Sequence, residues 1–298
     1  MKQSIQAQPR VRLALTAVVL LLLGAAMPLS TASGPRTTLH YAPNGNFSEN
    51  GRYMPGLVGF NLADVQNLDE LITLPRGVKG LVWVGQCAGV DAKFLKAVRP
   101  YAGNPRLFGY YLMDDPDPRP TVNLVRNSAY CPAANLKAES DWIHEHAPGA
   151  RTFIVLMNLT SRLTPSFSDA YAPDNSHTDL FGLDPYPCRT EIAGCDLAMI
   201  ERYVVAAETS GVPRSRMIPI YQAFGNGDWH TDGGGAYILP NTEQIRGIWS
   251  SWGALIDAPE FDFAYSWGAQ KSDIALEGSR ALRDTFRARN SIQSTEVP

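Results

Sequence analysis

Short apolar runs alternate with amphipathic ones along most of the chain. LVGFNL (57–62), GLVWVG (80–85), RLFGYYLM (106–113), RTFIVLMN (151–158), DLFGLDPYP (179–187), MIPIYQAF (217–224) and FDFAYSWG (261–268) read as β-strands. They are apolar at nearly every position, as strands covered on both faces are. Between them, DVQNLDELITL (64–74), DAKFLKAV (91–98), NLKAESDWIHEHA (135–147), DLAMIERYVVAAETSG (196–211), NTEQIRGIWSSWGALID (241–257) and ALEGSRALRDTFRARN (275–290) read as helices. Each has a capping Asp, Asn or Ser or a terminating Gly close by.

Strands and helices in alternation predict a parallel sheet covered by helices. An open doubly wound sheet that binds a nucleotide would carry a Gly-rich phosphate loop after its first strand, and none stands there. The expected fold is therefore α/β, a (β/α)8-type TIM barrel. Either TTLHYA (37–42) supplies its eighth strand or one unit is degraded.

The N-terminus departs from this pattern. Lys2, Arg10 and Arg12 precede the apolar run LALTAVVLLLLGAAM (13–27), and Ser30 and Ala32 stand where a signal peptidase reads small residues. The run is shorter than the roughly 20 residues that span a bilayer. Residues 1–32 are expected to be a cleaved signal peptide, and 33–298 one secreted barrel domain ending in a loose tail, SIQSTEVP. The formal net charge is −3 and the basic residues are scattered, so no stripe exists to neutralise phosphates. A nearly uncharged ligand is the natural one, with no nucleic acid, no membrane after cleavage, no cofactor and no metal, and a monomer is expected. Four cysteines in an exported chain favour disulfides, Cys188 with Cys195 and Cys87 with Cys131. A zinc site would favour close C-x-x-C pairs, which are absent.

Barrel enzymes carry their chemistry at the C-terminal ends of strands. Here those ends hold Trp83 with Gln86, Asp114 with Asp115, Asn158, Asp184 with Tyr186, Tyr221 with Gln222, and Tyr265 with Trp267. Aromatic faces stack on sugar rings, and amides and carboxylates bind hydroxyls. Tyr186 and Trp267 are the expected sugar platform, Tyr265 and Trp83 further aromatic contacts, and Asn158 and Gln222 hydroxyl binders.

The segment GYYLMDDPD resembles the G-W/Y-Y-L-x-D-E-P segment of secreted barrel proteins related to the glycoside hydrolases, and the D-P-Y-P, Y-Q-A-F and Y-S-W strand ends are similar to theirs. The resemblance implies glycosidic-bond hydrolysis in a polysaccharide or glycoconjugate. It sets Asp115 where those relatives carry the Glu of an acid/base pair, one methylene longer.

Glycoside hydrolysis uses two carboxyl groups, about 5 Å apart for retention and roughly 6.5–9.5 Å for inversion. On an extended strand Asp114 and Asp115 project to opposite sides. Asp115 is expected to donate the proton with Asp114 positioning it, or the reverse, and Asp184 to be the partner carboxylate. Asp228, Asp232 and Asp273 are loop alternatives. No glutamate ends a late strand, which leaves open an inverting enzyme or a carbohydrate-binding barrel without catalysis. Neither a G-x-S-x-G elbow nor an H-E-x-x-H helix is present, and the acidic segment lacks the spacing of a D-x-D-x-D-G calcium loop.

Overall fold

The computed structural model describes residues 34–120, 130–192 and 194–293. The expected signal peptide and the last five residues of the expected tail lie outside the described residues. Eight strands close into a parallel barrel: β1 His40–Tyr41, β2 Leu62–Val65, β3 Lys79–Trp83, β4 Leu107–Asp114, β5 Arg151–Val155, β6 Leu180–Leu183, β7 Met217–Gln222 and β8 Asp262–Tyr265. Each pairs with its neighbours in sequence, and β1 closes on β8 through His40 opposite Asp262 and Tyr41 opposite Phe263. TTLHYA thus supplies the remaining strand.

The helices are α1 Leu68–Thr73, α2 Ala92–Val98, α3 Ala133–His146, the short α4 Pro173–Ser176, α5 Ala198–Thr209, α6 Thr242–Leu255 and α7 Arg280–Gln293. Their starts follow from capping. Asn67 and Asp91 accept from Glu70 N and Phe94 N, and Asn241 forms a reciprocal box with Gln244. The degraded unit is the first, where a single 3₁₀ turn, Pro55–Val58, stands between β1 and β2 in place of a helix.

Strand alternation sorts the core into two layers. Leu62, Leu81, Tyr111, Phe153, Leu180, Ile218 and Phe263 fill the barrel. Ala63, Val82, Tyr110, Ile154, Phe181 and Ala264 pack outward with Leu71, Phe94, Ile143, Ile248 and Phe286 of the helices. Gly182 is inward between Leu180 and Asp184, and a Cβ there would stand 2.8 Å from both Ile220 and Val155.

Two sequence expectations are corrected. LVGFNL is not a strand: the 3₁₀ turn takes its first residues, Gly59 (φ 85°) reverses the chain, and β2 begins at Leu62. Asp64, read as the start of a helix, lies inside that strand, and α1 starts four residues later at Leu68. At the other end α7 runs to Gln293, so the first residues of SIQSTEVP are helical.

Both disulfides form, Cys87–Cys131 and Cys188–Cys195. The second joins directly opposed residues of a small antiparallel hairpin, Cys188–Arg189 with Gly194–Cys195, in the loop after β6. Among the described residues no helix is long and apolar enough to cross a membrane.

Candidate active site at the barrel mouth

All eight strands point the same way, so their C-terminal ends surround one mouth. Continuing the inward alternation from Leu62, Leu81, Leu180 and Phe263 brings Asp64, Trp83, Asp184 and Tyr265 to it. Asp114 would point outward on the same count, with Tyr110 and Leu112. A register shift in β4 changes that. Tyr111 pairs with Phe153 and Met113 with Ile154, one residue being left over, so Asp114 pairs with the inward residue Val155. Tyr111, also inward, donates its hydroxyl to Asp114 Oδ1 at 2.7 Å.

At Asp115 the backbone enters the left-handed region (φ 48°) while its N–H still donates to Val155 O at 3.2 Å. The two adjacent aspartates therefore do not diverge across the sheet as an extended strand would make them. Both press on Asp184. Burial pushes the Asp184 carboxyl well up, and the charges of Asp115 and then Asp114 push it further. Asp114 is raised by its surroundings and lowered in part by the Tyr111 hydrogen bond, and solvent reaching it blunts the first effect. Asp64 is raised by burial, against bonds from the Asn44 N–H, Gln66 Nε2 and Tyr41.

Aromatic rings form the wall beside Asp184. Tyr186, another left-handed residue (φ 39°), meets Phe224 at 4.9 Å, Tyr237 at 5.8 Å and Tyr265 at 5.8 Å between ring centroids. Trp229 extends the cluster over Phe224 at 5.0 Å, with Lys271 Nζ 5.3 Å above its ring. Trp83 faces the mouth from β3 and packs edge-on against Tyr111 at 4.7 Å. The clipped hairpin braces this wall: Arg189 donates to Tyr186 O and Pro185 O and lies 5.1 Å over Tyr237. Glu191 ties the hairpin to Arg162 and Thr231 of neighbouring loops.

Gln222, Trp267 and Asn158, expected to contact the ligand, also have partners of their own within the fold. Gln222 is fully buried, its Nε2 donating to Cys188 O and Ile238 O and its Oε1 accepting from Cys188 N. Its inward position at the end of β7 thus anchors the hairpin to the barrel. Trp267 is 3% exposed and packs in the outer, helix-facing layer. Strand β8 ends at Tyr265, and the chain turns there, Trp267 N donating to Pro43 O. Asn158 organises its own loop, its Oδ1 accepting from Thr160 N and Ser166 N and its Nδ2 reaching Tyr203.

Of the loop acids, Asp232 is exposed and adds to the push on Asp184. Asp273 is buried, and neither of its carboxylate oxygens meets a hydrogen-bond donor among the described residues. Asp228 sits in the loop of Trp229 and donates its own N–H to Lys271 O. His144 and His177 lie away from the mouth, paired with Asp179 and Asp141. Among the described residues no group of three or more His, Cys, Asp or Glu has the spacing to hold a metal ion.

Asp64, Tyr111 and Tyr237 belong to the mouth although none of them is among the expected site residues. Tyr111 stands three residues before Asp114, but only the register shift brings the two together. Asp64 was hidden by the misplaced strand boundary.

No family model matches the chain, and no curated protein matches it. Solved structures do. A GH18 chitinase from Flavobacterium johnsoniae superposes with a TM-score of 0.51 at 7% identity, over 89% of this chain and 98% of that one. Endo-glycoceramidase II from Rhodococcus sp. superposes with a TM-score of 0.51 at 12% identity, over 85% and 78%. A β-glucuronidase from Lactobacillus rhamnosus gives 0.50 at 12% identity, over 89% of this chain and 50% of that one. At such identities the likeness is one of fold: the chain is a TIM barrel of the kind on which these glycoside hydrolases are built.

Proposed function

We propose that the protein is an exported glycoside hydrolase whose reaction takes place between Asp184 and the Asp114–Asp115 pair. One observation carries this reading. Asp184 is walled by aromatic rings, and burial and two neighbouring aspartates lift its carboxyl well above the ordinary range, the direction a proton donor needs. That environment favours an exchange of the roles expected from the resemblance. Asp184 donates the proton to the glycosidic oxygen as the bond breaks. Asp114, held by Tyr111, takes a proton from the attacking water, and Asp115 sustains the charge that keeps Asp184 protonated. Tyr186, Tyr265 and Trp83 form the sugar platform. The basic and apolar leader and the two disulfides support export.

The structural role of Gln222 favours a second reading. No acid ends β7, so the barrel could bind sugar without cleaving it. Reducing-sugar release by residues 33–298 across a polysaccharide panel separates the two. The enzyme reading expects turnover that falls by about 10²–10⁴-fold in Asp184→Asn, with sugar binding retained. Binding without turnover in the unaltered protein supports the second reading.

A further inference from the structure

Asp64 is an acid of the mouth that the proposed reaction does not use. Strands β2 and β6 are four positions apart in a closed ring of eight, so Asp64 stands across the mouth from Asp184. Asp114 of β4 lies between them on one side and Tyr265 of β8 on the other.

The connection between β1 and β2, which has no helix, holds Asp64 in place. Asn46 is 3% exposed, donates from Nδ2 to Ala42 O at 2.7 Å and accepts the Asp64 N–H on Oδ1 at 2.9 Å. Asn44, left-handed at φ 73°, donates its N–H to Asp64 Oδ2 at 3.1 Å, and its carbonyl accepts from Gly268 N in the loop after β8. A side chain at position 268 would crowd that carbonyl, its Cβ standing 2.7 Å away. Gln66 Nε2 donates to Asp64 Oδ1 at 2.9 Å.

A carboxylate offers about four acceptor sites. Gln66, the Asn44 N–H and Tyr41 engage three of them. Leu62 and Tyr41 fill the barrel below, so the small part of Asp64 that is exposed, 8%, opens on the mouth. An acceptor so oriented and so largely desolvated discriminates by geometry. A ligand hydroxyl aimed at it is bound, and one aimed elsewhere leaves it unpaired. On a pyranose ring C4 lies opposite the anomeric carbon, and a ring whose C1 meets Asp184 therefore directs C4 at Asp64.

We propose that Asp64 accepts the C4 hydroxyl of the sugar whose bond is broken, and so sets the preference between sugars that differ only in the direction of that hydroxyl. This rests on the reading of the mouth as a glycan site with Asp184 at the scissile bond. The sugar in the mouth is then a chain end, or is linked onward through a position other than C4.

The test is calorimetric binding of two pairs of C4 epimers as phenyl 1-thio-β-glycosides, which resist hydrolysis: glucose with galactose, and N-acetylglucosamine with N-acetylgalactosamine. In at least one pair, one epimer is expected to bind tighter by about tenfold or more. Asp64→Asn, checked for an unchanged thermal transition, brings that ratio close to one. The 4-deoxy form of the preferred sugar isolates the contact: it binds more weakly than its parent to the native protein, and equally to the native protein and to Asp64→Asn. A merely structural role for Asp64 would weaken the deoxy sugar too. The epimer and 4-deoxy comparisons on the native protein stand even where the variant does not fold. Equal binding of the epimers, full affinity for the 4-deoxy sugar, or a ratio that survives in folded Asp64→Asn overturns the assignment of Asp64 and leaves the glycan reading standing. Binding of none of the four glycosides does the same where the polysaccharide panel shows binding or release, and overturns both where it shows neither.

Discussion

Asp184 has like charges for neighbours, and they control how it titrates. Burial is the largest cause of its raised carboxyl, followed by Asp115 and Asp114. As proton donor it is active only while protonated, so kcat/KM must fall as pH rises through its pKa. In Asp115→Asn one neighbouring negative charge is gone and Asp184 ionises more easily. The alkaline limb of the pH–rate profile should therefore move to lower pH. A limb that stays in place, or moves up, would place the donor elsewhere. Asp114, Asp115 and Asp184 are legible in the sequence as acids that end predicted strands. What the residues could not show was their mutual placement, which depends on the left-handed turn at Asp115 and the register shift at Leu112.

At the scale of elements, α3 is fastened to the loop after β3 by a carboxyl without charge compensation. Glu139 is fully buried, its Oε1 accepting from Gly89 N at 2.9 Å, and Asn135 of the same helix donates to Cys87 O beside the first disulfide. Burial pushes Glu139 up to about 8, against the two loop N–H groups that lower it. The folded state thus holds a proton that the unfolded chain releases above its ordinary range. Stability from this group is fully present below about pH 4.5 and declines as pH rises to about 8, on the order of 1.4 kcal/mol per unit. Urea unfolding at pH 5 and pH 8 should show this loss in the native sequence and a much flatter response in Glu139→Gln. Equal slopes for the two proteins would refute the assignment. Capping residues and apolar runs made most elements readable. The exceptions were β2, only four residues long with Asp64 in its middle, and the first unit, which has no helix to find.

Over the whole molecule, closure of the barrel depends on one seam. His40 of β1 and Asp262 of β8 face each other in register and meet at 2.8 Å on the helix-facing side. Arg289 of α7 reaches Asp262 Oδ2 at 2.6 Å, and Tyr221 of β7 donates to it at 3.2 Å. Burial would raise this carboxyl, but Arg289 and then His40 outweigh it and hold Asp262 at about 2. Its contribution is therefore present above the ordinary Asp range and lost as pH falls through about 2. Asp262→Asn would leave Arg289 buried without its partner and should cost about 3–5 kcal/mol, read as a lowered denaturation midpoint. A cost under about 1 kcal/mol would mean that the seam is held by strand pairing alone.

The sequence by itself determined the alternation of strand and helix, the barrel class, the cysteine pairs and the face on which the acids gather. Those properties are local or follow from chain order, since hydrophobic period, capping chemistry and strand polarity act over a few residues. Only the tertiary structure decided which strand-end groups share the mouth. Gln222, Trp267 and Asn158 matched a ligand site by type and position, but neighbouring backbone claimed two of them and the outer core the third. Asp64 and Tyr111 joined the mouth through a short strand and a shifted register. Burial, pairing across strands and the summed field of distant carboxylates depend on where the whole chain lies, and no local pattern encodes them.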